Sequence, residues 1–428
     1  MRNAKWLLVG LILTVGGAGL AQGTVDITFW AAPNPPQEVF WKQMAEAYMA
    51  VHPGVRITVR QMPEAPTSEA GILAAIAGGV APTASENIFI GFGGEMARAG
   101  AIVPLDTLPG WEDFVRARNM ELTIQGWRFA DGHYYVLPVY SNAMLFAWRI
   151  DILRELGYDR PPRTYSEVLE VGEKLKARYP KKFLWVRGEL EVPTWWQRWF
   201  DFFPLYYPAS GGQQLITGEV ITADDRAAVE VLRFLRQMVE KKLLVTEALP
   251  YSLEEGHTIM AILGPWTFPF WAEMYPELKY GEHFVLTPPP VPDWWPADEP
   301  AKTFADAKGI VFYTQATPEQ RQAMWDFIGW VYSKPENDLR WLEITTMPPA
   351  RDDVAVNELF AAFFKKYPAL VSYAENIPYA VPPFVHKEYV ELKRVLGAEA
   401  IYPTITGELT PEAAWDTWKM LAEKIIKK

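Results

Sequence analysis

Apolar and polar residues alternate along Val25-Asp26-Ile27-Thr28-Phe29-Trp30, and the β-branching there predicts a strand that Pro33, Pro35 and Pro36 bring to an end. Phe40, Met44, Ala47 and Tyr48 then recur at helical spacing. A helix should run from Pro36, which suits a first turn, to about Val51. After the turn His52-Pro53-Gly54 the pattern predicts a strand at Val55–Arg60 and a small-residue helix at Ser68–Ala77 stopped by Gly78-Gly79. A third strand is expected at Asn87–Ile90. Strands and helices taking turns at this spacing imply an α/β lobe with a largely parallel sheet.

The pattern changes beyond residue 130. Asp131-Gly132 is a turn signal, and Tyr134–Val139 and Met144–Ile150 read as strands with Pro138, Ser141 and Asn142 between them. Thr164-Tyr165-Ser166-Glu167 has the form of a capping box opening a helix to about Tyr179. Asp224–Lys242 is helical by the spacing of Val229, Leu232, Leu235, Val239 and Leu243. Met260–Leu263 reads as a short buried strand stopped by Gly264-Pro265, and Pro288–Pro300 as an extended linker. Gly309–Tyr313 is a strand, Thr317 caps a helix to Tyr332, and Thr410 caps a last helix whose stripe is Ala414, Trp418, Leu421 and Ile425.

The start of the chain reads differently. Arg2 and Lys5 precede the apolar run Trp6–Val15, followed by small residues ending at Gly19 and Ala21, the layout of a secretory signal over residues 1–21. The run is short for a membrane span of about 20 residues. There is no Cys, so disulfides, thiol chemistry, Cys–zinc sites and a lipoprotein anchor are all excluded. A free periplasmic or extracellular protein, expected to be a monomer, follows. Removing Arg2 and Lys5 takes the net charge of −11 to −13, which argues against nucleic acid as a partner. Eight Asn, no Cys and 36 Pro lean toward a thermophilic source.

Catalytic chemistry finds little support. None of His52, His133, His257, His283 and His386 lies at helical zinc-pair spacing from another, so no metal and no cofactor are expected. Gly91-Phe92-Gly93-Gly94 lacks a phosphate-loop ending and reads as a strand-to-helix turn whose glycines allow close packing. The acid pairs Glu189/Glu191, Asp224/Asp225 and Glu254/Glu255 arise easily among 52 acids. The 19 Trp say more. Trp195, Trp196 and Trp199 crowd five positions, Trp266 follows a buried strand, and Trp271 lies one helical turn on. Indole faces suit the C–H faces of sugar rings, while amides, carboxylates and guanidinium groups take the hydroxyls.

Several segments in a common order resemble the family 1 extracellular solute-binding proteins of ABC importers, the maltose-binding-protein-like group. They are Phe29-Trp30, His52–Val59, Gly100–Asp106, Asp131-Gly132 with Tyr135–Val139, Leu156-Gly157 before Pro162–Tyr165, Glu255–Met260 with Gly264-Pro265-Trp266, and Met347–Arg351. Two segments depart from it: Ser85-Glu86-Asn87-Ile88 stands where the family has Pro-Asp-Val, and Ala147-Trp148-Arg149 where it commonly has Tyr-Asn. The resemblance implies a two-lobe α/β periplasmic-binding-protein fold with ligand in the interlobe cleft. The expected lobes are 24–138 plus 308–344 and 141–305 plus 347–428, with crossings near Pro138–Ser141, Ala305–Lys308 and Ile344–Met347. It implies a secreted, non-enzymatic receptor that delivers a carbohydrate to the transmembrane permease subunits of an ABC transporter. Trp266 matches the family's stacking Trp, Trp30 and Asn34 its first-strand loop, Glu64 its second-strand loop and Arg351 its third-crossing turn. Asn142 and Asp306 are candidates from their position at the first two crossings. The Trp content favours a di- or oligosaccharide, with an α-glucoside such as maltose or trehalose first. A glycerol phosphate ligand, a secreted glycoside hydrolase or lyase, and a structural module with a vestigial cleft are the alternatives.

Overall fold

The structure is a computed structural model that describes residues 23–63 and 67–427. The expected signal segment 1–21 and Glu64 lie outside the described residues. The first sheet is built on strand Val25–Ala31, which pairs in parallel with Val55–Gln61, Val25 opposite Val55, and with Ala84–Ile88 on its other side. The long strand Thr303–Phe312 adds antiparallel to Ala84–Ile88. Leu137–Ala143 and Ala380–Val381 complete the six strands. Helix Pro35–Val51 covers this sheet because Phe40, Trp41, Met44, Ala45 and Tyr48 fall on its inner face.

A second sheet of three antiparallel strands has Leu145–Trp148 at its centre, between Met260–Leu263 and Val285–Thr287. The chain therefore changes sheets at Met144. It returns along Thr303–Phe312, whose first half pairs with Leu137–Ala143 and whose last residues reach Ala84–Ile88. A third passage runs beside the first, where Ala350 donates to the Val139 carbonyl and Ser141 to that of Pro348. These three passages join the two lobes.

The six helices expected from apolar spacing and capping residues form where they were expected. Asp225–Glu240 buries Val231, Leu232, Leu235 and Met238 and is capped by the Asp224 carboxylate on the Ala227 N–H. The box at Thr317 closes in both directions with Gln320. At Thr164 it does not: the hydroxyl accepts from the Glu167 N–H, but the Glu167 carboxylate turns to the N–H of Arg163 and to the Arg160 guanidinium. Three other expectations shift. The third strand is Ala84–Ile88, earlier than expected, and Gly91, Gly93 and Gly94 lie inside the helix Ile90–Arg98 that follows at once. Their packing role holds, since a Cβ on Gly91 would stand 2.8 Å from the Tyr389 ring. The stretch 288–300 is pinned by Val291, which exchanges backbone hydrogen bonds with Arg163 and Tyr165, and is no free linker. Among the described residues no helix is long and apolar enough to cross a membrane.

Candidate functional site

Between the lobes lies a cleft of about 570 Å³ to which both contribute. The first lobe supplies Asn34, Gln37, Ser68, Glu69 and Asn87, and the second Gln197, Trp199, Phe200 and Trp266. Tyr140, Asp306 and Lys308 form its floor on the connecting strands. A hollow of about 550 Å³ between Tyr48, Phe114 and Trp330 belongs to one lobe alone, so lobe movement cannot act on its contents.

Strand geometry explains the floor. Side chains alternate across a strand, so Asp306 and Lys308 of Thr303–Phe312 face the cleft, while Ala305 and Ala307 face a separate hollow of about 410 Å³ behind the strands. On the neighbouring strand Tyr140 pairs opposite Lys308 and Asn142 opposite Asp306. Burial raises the Asp306 pKa from its ordinary value, and the Lys308 charge and the Asn142 amide oppose that shift.

Each lobe presents its polar or aromatic groups by a local device. Asn34 occupies the N-cap of helix Pro35–Val51, but its side chain makes no capping hydrogen bond, which leaves the amide for the cleft. Asn87 sits at φ 66, and this left-handed turn lets Glu86 point inward while Asn87 lines the cleft. In the second lobe Arg198, itself at φ 52, anchors an irregular loop from below. It pairs with Asp201 at 3.1 Å and donates to the Glu189 and Val192 carbonyls. That anchor holds Gln197, Trp199 and Phe200 at the cleft wall. Trp266 follows Gly264-Pro265, and a side chain on Gly264 would collide with its ring. Glycine is thus required for the indole to fold back. Trp266 remains 36% exposed, and its ring meets Phe200 edge-on at 6.3 Å.

Glu86 lies under the turn at Ala32 and the first turn of helix Pro35–Val51, accepting from the Ala32 N–H at 2.7 Å and the Gln37 amide at 3.3 Å. Burial raises its pKa to about 7 despite those bonds and the Lys308 charge, which lower it. The folded-state value exceeds the unfolded-state value of about 4.3, so this group's stabilising effect is complete below about pH 4 and is lost as pH rises through about 7. The loss is on the order of 3 kcal/mol. Glu86→Gln should therefore raise the denaturant midpoint at pH 8 and leave it nearly unchanged at pH 4. Equal shifts at both pH values would remove Glu86 as the source.

The structure brings together Asn34, Trp199, Trp266 and Asp306 of the residues expected from sequence, with Asn142 fully buried beneath Asp306. The others lie elsewhere. Trp30 packs partly buried against the core of the first lobe and does not line the cleft. Trp196 stands behind Trp199, between Phe89 and Tyr389. Trp195 is half-buried in the same loop, outside the cleft. Trp271 is 3% exposed, packed on Phe268 and Phe284 with its indole N–H donated to Glu254. Arg351 is 4% exposed and committed to Asp338 and Asp353, and it borders the hollow behind the hinge.

Gln37, Glu69, Asn87, Tyr140, Gln197, Phe200 and Lys308 were not expected. For Lys308 and Tyr140 a signal existed, since each lies two residues from a candidate on the same strand. Nothing local marked Asn87. The lobes also touch beside the cleft, where Phe89 meets the rings of Trp196, Trp199 and Tyr389 at 6.0, 5.9 and 5.2 Å. Among the described residues no group of His, Asp and Glu side chains could hold a metal ion.

Residues 43–371 match the family described as bacterial extracellular solute-binding protein. A maltotriose-binding protein of Pyrococcus abyssi (strain GE5 / Orsay) is 24% identical over 328 residues, which are 73% of this chain but 64% of that relative's length. The uncharacterized protein lmo0859 of Listeria monocytogenes EGD-e is 49% identical, with a TM-score of 0.88 over 94% of this chain and 100% of that one. The cyclic alpha-maltosyl-1,6-maltose binding protein of Arthrobacter globiformis shares the fold at 19% identity, with a TM-score of 0.76 over 95% of this chain and 100% of that one. Two lobes around a shared cleft and a family match across most of the chain agree: the protein belongs to the bacterial extracellular solute-binding proteins, a family of receptors rather than enzymes.

Proposed function

We propose that the protein is the secreted receptor of an ABC importer and that its solute is a carbohydrate, a di- or oligosaccharide with an α-glucoside as the first choice. The observation that carries this reading is the composition of the interlobe cleft. Trp199, Phe200, Trp266 and Tyr140 supply aromatic surface, and Asn34, Gln37, Asn87, Gln197, Glu69 and Asp306 supply hydroxyl partners. The names of the Pyrococcus and Arthrobacter proteins, which bind maltotriose and a cyclic maltosyl-maltose, support the same ligand class. A glycerol phosphate fits poorly, because the described lining sets Glu69 and Asp306 against the single cation Lys308, the reverse of a phosphate cradle.

Residues 24–138 with 308–344 and 141–305 with 347–428 move as the two lobes in this reading. Ligand contacts from both stabilise the closed form, since only differential affinity shifts such an equilibrium. The closed lobes then present the sugar to the transmembrane permease, with residues 1–21 having directed export. Thermal unfolding across glycosides and sugar phosphates tests the reading. A ligand at 100 times its dissociation constant that binds only the folded chain adds about 2.7 kcal/mol. One class of intact glycoside should raise the midpoint, and Trp266→Ala should weaken its binding at least tenfold. A shift with phosphorylated polyols alone, or cleavage of the sugar, would replace the proposal.

A further inference from the structure

Helix Thr267–Met274 satisfies the core with one face and leaves an apolar row on the other. Phe268 and Trp271 are 8% and 3% exposed and pack with Phe284. Trp266, Phe270 and Met274, at i, i+4 and i+8, are 36%, 40% and 57% exposed, on a face where an amphipathic helix ordinarily carries polar residues. Successive members of the row are separated by about 6 Å along the axis. The row begins at Trp266, which lines the cleft, and Phe270 and Met274 follow one and two turns along the helix, outside that lining.

The segment beside it widens the row. Tyr251, 52% exposed, lies 5.9 Å from Phe270 with the rings only 24° from parallel, and Tyr275 meets both at 6.2 and 5.9 Å. Tyr251 holds φ 54, a left-handed backbone that bulky side chains rarely adopt and that tends to persist where a side chain is being presented. Its surroundings are rigid. Leu253 is buried in the core, Glu254 accepts from the Trp271 indole, and the Arg149 guanidinium donates to the Leu253 carbonyl. The Tyr275 hydroxyl titrates above its ordinary range, through desolvation first and then the charges of Glu254, Glu255 and Glu277. Flat aromatic surface bordered by carboxylates is chemistry for sugar rings and their hydroxyls.

We infer that Phe270 and Tyr251 form a saccharide platform continuous with the cleft at Trp266, which holds the sugar units of an oligosaccharide that project beyond the lobes. This rests on the carbohydrate reading and names its substrate class: chains longer than the cleft encloses. The occupant is a glycan because the row is continuous with the proposed binding site and bordered by hydroxyl acceptors. Two variants remove the rings without touching the core. Phe270→Ser acts on the outer helix face, and Tyr251→Gly also relieves the left-handed strain, so its folded state should be at least as stable as the wild type's.

Calorimetric titration with linear gluco-, manno- and xylo-oligosaccharides of two to seven units, on the full mature chain, tests the platform. For the class that binds, wild-type affinity should rise with length. Each variant should lose at least about fivefold on the six- and seven-unit chains while staying within twofold on the shortest ligand that binds. Variants that match wild type at every length, or lose equally at every length, would overturn the platform and leave the receptor reading standing. Wild type that binds none of the series would remove both. Sedimentation of the same samples adds one more outcome: self-association lost in the variants would make the face a contact between copies of this chain and overturn the inference.

Discussion

Asp306→Ala should weaken saccharide binding about a hundredfold, roughly 2.7 kcal/mol. The residue lies on the cleft floor between contributions of the two lobes, and its carboxyl group, whose pKa burial raises and the Lys308 charge lowers, is an acceptor in a partly dry site. A hydrogen bond to a charged group contributes about 1.5–3 kcal/mol. The substitution also leaves Lys308, two residues along the same strand, with one fewer carboxylate near it. Paired titrations of Asp306→Ala and Asp306→Ala/Lys308→Met separate the two effects. The double variant should recover the part of the loss that comes from the unbalanced cation. Binding by Asp306→Ala within threefold of wild type would take Asp306 out of the ligand's reach.

Asp338→Ala should cost about 3–5 kcal/mol of stability, the penalty of breaking a buried ion pair and leaving charge behind. Asp338 is fully buried and accepts from Arg118 at 3.2 Å and from Arg351 at 3.1 Å, while both guanidinium groups are themselves almost wholly out of solvent. Arg118 would keep the Pro138 and Val139 carbonyls and its place 3.6 Å over the Tyr332 ring, and Arg351 would keep Asp353. Those bonds soften the loss without replacing the charge. Denaturant melts measure it, and a cost below 1 kcal/mol would show that the remaining partners suffice. Saccharide affinity of the folded variant should stay within threefold of wild type. A large loss of affinity at full stability would instead return Arg351 to the ligand.

Chemical groups on opposite sides of the hinge strands thus serve different ends. Asp306 and Lys308 face the cleft, whereas Arg351, with Asp338 and Arg118, ties the first and third passages together from behind. The interlobe contact of Phe89 with Trp199 brings a cleft aromatic directly against the opposite lobe.

Local physics made much of this protein legible without coordinates. Apolar spacing marked helix Asp225–Glu240, the Thr317 and Thr410 hydroxyls marked helix starts, and alternation marked Val25–Ala31 and Val55–Gln61. Each of these depends on residues within a turn or two of one another. Order along the chain carried the family resemblance, and Gly264-Pro265-Trp266 carried a cleft residue, because the glycine that lets the indole fold back is its near neighbour. Tertiary structure alone decided which aromatic and charged side chains reach the cleft. Trp266 and Trp271 stand five residues apart, and only the packing of Phe268 and Phe284 sends one inward and leaves the other exposed. Arg351 was available to a sugar until Asp338, thirteen residues away and itself held by Arg118 from more than two hundred residues off, met it in the interior. A buried charge takes the partner that desolvation leaves it, and distant strands and helices bring that partner. Short-range pattern therefore marked the most regular elements and the family, while the fold chose the site.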